Sequence, residues 1–228
     1  MERAHKSGFV NIIGHPNVGK STLTNALVGE RLNIITPKAQ TTRHRIFGIL
    51  NGESQDFDYQ LVFSDTPGVL EPAYALQDSM LSAVKSALED ADVFLYVVEL
   101  GEGSLKNESF FKALQDTDKP VILLLNKVDL HDQEKLEKET DLWIDRMPNA
   151  EIIPISALTK FNLDYVMKRL LDLTPVCKPY FGKEQLTDRS ERFVTSEIIR
   201  EQVLMNYNKE IPYSCLLYTS PSPRDSDS

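Results

Sequence analysis

Cysteine is nearly missing from these 228 residues: only Cys177 and Cys215 occur. They lack metal-ligand spacing and have no need to pair, which excludes a disulfide scaffold and suits a reducing compartment. Four scattered histidines make no ligand cluster. No apolar run reaches the roughly 20 residues that span a bilayer. The opening Met1-Glu2-Arg3-Ala4-His5-Lys6 leads straight into an apolar run without signal-peptide character, so the expected location is cytoplasmic. Positive charge is also in short supply, with 25 Lys and Arg against 34 Asp and Glu and a net charge of −9. Residues 1–173 carry 18 basic against 26 acidic side chains, a net of −8, and the remainder 7 against 8, a net of −1. A chain this acidic does not coat nucleic acid nonspecifically, so any RNA contact must come from a local surface. Glycine occurs ten times and not after Gly182.

What is present is ample core material. Hydrophobic residues make up 41% of the chain, enough for one core and part of a second unit. Apolar runs and helical spacing alternate, with strands expected near 9–13, 46–50, 58–64, 92–98, 121–126 and 151–155. Helices are expected near 20–28, 75–90, 107–116, 133–147 and 162–173. The two adjacent strands joined between Glu53 and Asp56 imply one antiparallel edge hairpin in an otherwise parallel sheet. The fold class is therefore α/β, a three-layer sandwich. The acidic run Glu134-Lys135-Leu136-Glu137-Lys138-Glu139 reads as a solvated helix face.

Residues 14–21 read Gly14-His15-Pro16-Asn17-Val18-Gly19-Lys20-Ser21, which fits G-x-x-x-x-G-K-[ST] between an apolar run and a helical one. Backbone N–H groups must wrap phosphate oxygens there, and glycine lets the chain approach closely. Lys20 supplies charge for the β- and γ-phosphates and Ser21 a hydroxyl for magnesium. The helix that starts at this point, Thr22 included, turns its N-terminus to the anion. A chain of this length meets the pattern by accident on the order of one time in a hundred; the strand before and helix after lower that further.

A phosphate loop does not choose between ATP and GTP. Asn126-Lys127-Val128-Asp129 does, because it closes the run Val121–Leu125 at the C-terminal edge of a sheet, where such folds bind ligands. The Asp129 carboxylate can accept two hydrogen bonds from guanine, a donor pair adenine lacks. Asn126 is expected to tie the base loop to the phosphate loop, and the Lys127 stem to lie over the ring. Ser156-Ala157-Leu158, after a further strand, could offer backbone N–H groups to the guanine carbonyl. Between the two cassettes, Asp65-Thr66-Pro67-Gly68 ends another strand. Asp65 can hold the water shell of magnesium and Gly68 can offer its N–H to the γ-phosphate. In isolation that tetrapeptide is an ordinary Pro-Gly turn.

The motif set resembles the translation-factor-like P-loop GTPases. Lys38-Ala39-Gln40-Thr41-Thr42-Arg43-His44-Arg45 looks like the switch segment of the Era family. Leu186-Thr187-Asp188-Arg189-Ser190-Glu191-Arg192-Phe193, Ser196–Glu201 and Glu210–Ser214 look like the start of that family's KH-type RNA-binding domain. The resemblance covers about residues 6 to 214. It implies that Thr42, or its neighbour Thr41, closes on magnesium and the γ-phosphate, with Lys20, Thr42 and Gly68 as the catalytic set. It implies magnesium held by Ser21, Thr42 and Asp65, partly through water. Val69 stands where Ras-type enzymes carry a water-orienting glutamine, so hydrolysis is expected to be slow. Asn17 implies a potassium ion where other enzymes use an arginine finger; Arg43 and Arg45 are the alternative fingers. The ring of His15 is expected to matter less than its backbone.

The resemblance further implies a timer in small-ribosomal-subunit maturation, with the 30S subunit and its rRNA as partners and peripheral membrane association by family analogy alone. Against it stand a GTPase module serving a transporter or a tRNA-modifying enzyme, and a small-molecule kinase, which Asn126 and Asp129 disfavour. The expected organisation is a GTPase domain over 1–173, a linker over 174–190 marked by Pro175, Pro179 and Gly182, and the start of a KH-type unit over 191–214. Residues 215–228, rich in Ser, Pro and Asp, read as a disordered tail foreign to the family. A KH unit needs a G-x-x-G clamp, and none follows Gly182, so the unit reads as truncated and RNA binding as impaired. The helix from Arg192 carries Phe193, Ile198, Ile199, Val203 and Leu204, an apolar face expected to seek cover.

Overall fold

The computed structural model describes residues 3–36, 41–68, 89–102 and 108–207. Lys38-Ala39-Gln40 of the switch segment, Val69, most of the helix expected over 75–90, Glu210–Ser214 and the tail 215–228 with Cys215 lie outside them. Of that helix, residues 89 and 90 are described and are helical.

Six strands form one sheet: β1 (Ala4–Ile13), β2 (Ile46–Glu53), β3 (Phe57–Asp65), β4 (Val93–Glu99), β5 (Val121–Asn126) and β6 (Ala150–Pro154). Their order is β2-β3-β1-β4-β5-β6, with β2 antiparallel to β3 and every other pair parallel. The central strands are buried on both faces, so they read as unbroken apolar runs; β5 is buried from Val121 to Asn126. The switch in strand order lies between β1 and β4, and the loops after these strands form the crevice where ligands of open α/β sheets bind.

Helices α1 (Lys20–Val28), α2 (Glu108–Gln115), α3 (Gln133–Arg146), α4 (Leu163–Leu173) and α5 (Glu191–Asn206) accompany the sheet. On one face Leu23 and Leu27 of α1 and Val166 and Leu170 of α4 pack with Val10, Ile12, Leu95 and Leu124. On the other, Leu114 of α2 and Trp143 of α3 pack with Ile13, Tyr96 and Leu123. Tyr96 meets Trp143 edge to face at 5.7 Å. Asp132 starts α3 by accepting from the Lys135 N–H at 2.9 Å.

Residues 174–190, expected as a linker, are laid across the sheet. The Ser7 N–H donates to the Pro175 carbonyl and the Cys177 N–H to the His5 carbonyl. The buried Gln60 side chain of β3 accepts from the Tyr180 and Phe181 N–H groups at 2.7 and 2.9 Å and donates to the Phe181 carbonyl. The path ends along β2, where the Ile49 N–H donates to the Leu186 carbonyl and the Phe47 N–H to Asp188. The outer edge of the hairpin is thereby covered.

The Ser190 hydroxyl caps α5 by accepting from the Phe193 N–H. The helix docks on the loop after α1, and it does so largely through its polar positions. Glu197, Arg200 and Glu201 are buried along with Leu204, while Ile198, Ile199 and Met205 are about half exposed. The apolar face is thus only partly the docking face, because the loop offers backbone groups and Arg31 as partners.

Candidate functional site

The phosphate loop is shaped by short-range contacts that need particular residues. Gly19 adopts φ 101°, and a Cβ on it would stand 2.4 Å from Asn126 Nδ2. That closeness lets Asn126 donate to the Val18 carbonyl at 2.7 Å and accept from the Ala157 N–H at 2.9 Å. One side chain therefore joins the phosphate loop, the base loop and the loop after β6. Val18 turns its own side chain into the core. Gly68 rests on Pro16, where a Cβ would meet the Pro16 nitrogen at 2.6 Å.

Lys20 is buried, and Nζ donates to the Gly14 and His15 carbonyls at 3.1 and 2.7 Å. Burial lowers its pKa to about 8, partly opposed by Asp65 and Glu102. Next to it, Ser21 Oγ donates to Asp65 at 2.7 Å and lies 3.0 Å from Thr42 Oγ1. Thr41 Oγ1 instead meets Thr36 at 2.6 Å. Burial raises the Asp65 carboxyl to about 6, against the Ser21 hydrogen bond and the Lys20 charge. Its other oxygen is buried without a hydrogen-bond partner among the described residues. Two hydroxyls, a carboxylate and a spare carboxylate oxygen form an all-oxygen donor set that fits magnesium. A divalent cation there would restore the ionised carboxylate.

Two adjoining cavities open at this edge of the sheet. The larger, about 330 Å³, is lined by Pro16, Lys20, Ser21, Thr42 and Gly68, and also by Ile35, Thr36 and Thr41, which sequence reasoning did not assign to phosphate. The smaller, about 200 Å³, is lined by Asn126, Asp129, Ser156, Ala157 and Leu158, with Leu130 beside them. Asn17, Gly19, Thr22 and Lys127 belong to both. Asp129 is exposed on a 3-10 turn over Val128–Leu130. Both Lys127 and Asn17 take left-handed backbone conformations, at φ 65° and 66°.

Several side chains sit differently from expectation. Thr66 is fully buried, and its hydroxyl donates to the Ile12 carbonyl at 2.6 Å, so it holds the loop rather than a phosphate. Pro67 is buried beside it. Arg45 is no finger: its guanidinium pairs with Asp90 at 2.7 Å and donates to Ser64 and Asn11. Arg43 is buried as well. The His15 ring is engaged, its Nδ1 lying 2.6 Å from Glu102. Glu99 pairs with Lys127 at 2.5 Å. No motif flags either glutamate.

A family model described as 50S ribosome-binding GTPase matches residues 9–127. GTPase Era of Clostridium novyi is 41% identical over 209 residues, covering 91% of this chain and 70% of that protein. The chain belongs to the Era family of GTPases. Among solved structures it is similar to Era in complex with magnesium, GDPNP and nucleotides 1506–1542 of 16S ribosomal RNA, at TM-score 0.84, 38% identity and coverage of 92% of this chain and 70% of that one. A point variant of Aquifex aeolicus Era bound to GDP and aluminium fluoride matches at TM-score 0.84 and 39% identity, with the same coverage. The chain is thus an Era-type enzyme that hydrolyses GTP to GDP and phosphate.

Proposed function

We propose that the two adjoining cavities are one guanine-nucleotide site, and that the chain works as a GTP-timed switch in maturation of the small ribosomal subunit. The carrying observation is their division of chemistry: Lys20, Ser21 and Asp65 lie at one end, Asn126 and Asp129 at the other, with four residues shared. The phosphate loop Gly14–Ser21, with Thr22, cradles the phosphates, and Gly68 donates its N–H to the γ-phosphate. Asp129 accepts from the base, Lys127 covers it, and the N–H groups around Ala157 meet its carbonyl. Ser21, Asp65 and Thr42 hold magnesium, which when bound supplies charge neutralisation between the phosphates. Lys20 and Thr42 stabilise charge on the transferred group. Asn17, at the seam of the two cavities, holds potassium as a further cation.

The switch reaches the second unit through α5. Glu201 accepts from the Ile35 N–H at 2.9 Å and from Arg31 at 2.6 Å. Closure of the loop carrying Thr42 onto a triphosphate therefore pulls on α5, and hydrolysis releases it. One relative binds 16S rRNA nucleotides 1506–1542, and that is the RNA we assign here, with the 30S subunit as the larger partner. No G-x-x-G follows Gly182 in these 228 residues, so the grip on RNA within this stretch is expected to be weak. No described helix is long and apolar enough to cross a membrane; peripheral membrane contact rests on family likeness alone. The test is gel retardation of a fragment corresponding to those nucleotides, with GDPNP or GDP present. Different retardation with the two nucleotides supports the reading; equal retardation, or none, refutes the switch on RNA.

A further inference from the structure

Two carboxylates at the end of β4 stand where an anion site least tolerates them. Glu99 ends the strand and Glu102 follows three residues on. Glu102 Oε1 lies 2.6 Å from His15 Nδ1 in the phosphate loop. Its second oxygen accepts from the Glu99 N–H at 3.3 Å. The Glu99 side chain accepts from Lys127 Nζ at 2.5 Å, and Lys127 lines both cavities. The charge of Glu102 is felt at Lys20, so it also opposes a bound polyphosphate.

We propose that Glu99 and Glu102 are positioning residues which brace the phosphate loop against the base loop. The inference rests on the reading of both cavities as one nucleotide site. Asn126 secures the loop at Val18, near its end. The carboxylate bracket secures it at His15, near its start. His15 also provides the carbonyl that accepts from Lys20 Nζ at 2.7 Å, so bracing His15 orients the ammonium. A site held in shape before the ligand arrives does not spend binding energy on ordering itself. The brace acts on ground state and transition state alike, so its loss raises KM more than it lowers kcat.

The test uses Glu102→Gln, which keeps the volume and removes the charge. We expect about tenfold weaker binding of fluorescent GDP and of GDPNP alike, with kcat/KM falling chiefly through KM. The melting temperature of nucleotide-free protein should hardly move. His15→Gln should give a similar loss, and adding Glu102→Gln to it nothing further. Unchanged affinity, additive losses, or the tighter binding expected of a merely repulsive carboxylate would each overturn the proposal. Should Glu102→Gln fail to fold, Glu99→Gln is read by the same criteria. If the parent protein binds no GDP, the site reading itself fails; if the parent binds and the variants match it, only the brace fails.

Discussion

Arg200 donates through its guanidinium to the Thr41 carbonyl at 2.6 Å. The same side chain pairs with Glu197, and both are buried at the contact between α5 and the loop after α1. A residue of the second unit thereby holds the backbone next to Thr42. A hydrogen bond from a charged group is worth about 1.5–3 kcal/mol, and its removal here also strands Glu197. Arg200→Ala should lower kcat/KM for GTP by about tenfold or more. GDP affinity should change less than about twofold, since the diphosphate does not need Thr42. Single-turnover hydrolysis beside GDP titration checks this, and equal losses for both nucleotides would count against it.

Much of this arrangement was legible in the sequence. The strands and helices follow the alternation of apolar runs, and the helix over 20–28 matches to the residue because glycines flank it. The phosphate and base cassettes fall together because each closes a parallel strand at the same edge. The polar docking of α5 was not legible. Helical spacing of Ile198 and Ile199 says that an apolar face exists, not which surface the chain offers it. The paths of 174–190, of Arg45 and of the His15 ring escaped for a related reason. Their partners, such as Gln60 for Phe181 or Glu102 for His15, lie 121 and 87 residues away. Such pairings leave no local periodicity.

The buried ammonium of Lys20 gives a pH dependence with a definite sign. Desolvation lowers its pKa to about 8 in the nucleotide-free protein. Bound phosphates favour the charged form, so binding takes up a proton once the free protein has begun to lose it. GDP affinity should be flat between pH 6.5 and about 7.5 and decline above about 8, by at most tenfold per unit. Calorimetry at pH 8.5 in buffers of different ionisation enthalpy should register proton uptake. An affinity that rises with pH would contradict the assignment.

Asp129→Asn replaces an acceptor with an amide that also donates. GTP affinity should fall by about 10- to 100-fold, the worth of hydrogen bonds to a charged acceptor. Xanthosine triphosphate should gain by a comparable factor. Competition against a fluorescent guanine nucleotide measures both, and an unchanged preference would remove Asp129 from the base site.

Potassium at Asn17 predicts several-fold faster turnover in potassium than in sodium at equal ionic strength. Asn17→Ala should abolish the difference. Phosphate release assays decide the point, and equal rates in the two salts would end the idea.

The most direct measurement is calorimetric titration of the magnesium-loaded nucleotides into purified protein. The account requires one GTP per chain, a thousandfold or greater preference over ATP as expected of a site left with an unpaired buried polar group by the wrong base, and loss of binding in Lys20→Ala. Equal affinity for ATP, or no heat with GTP while the protein is folded, would contradict it.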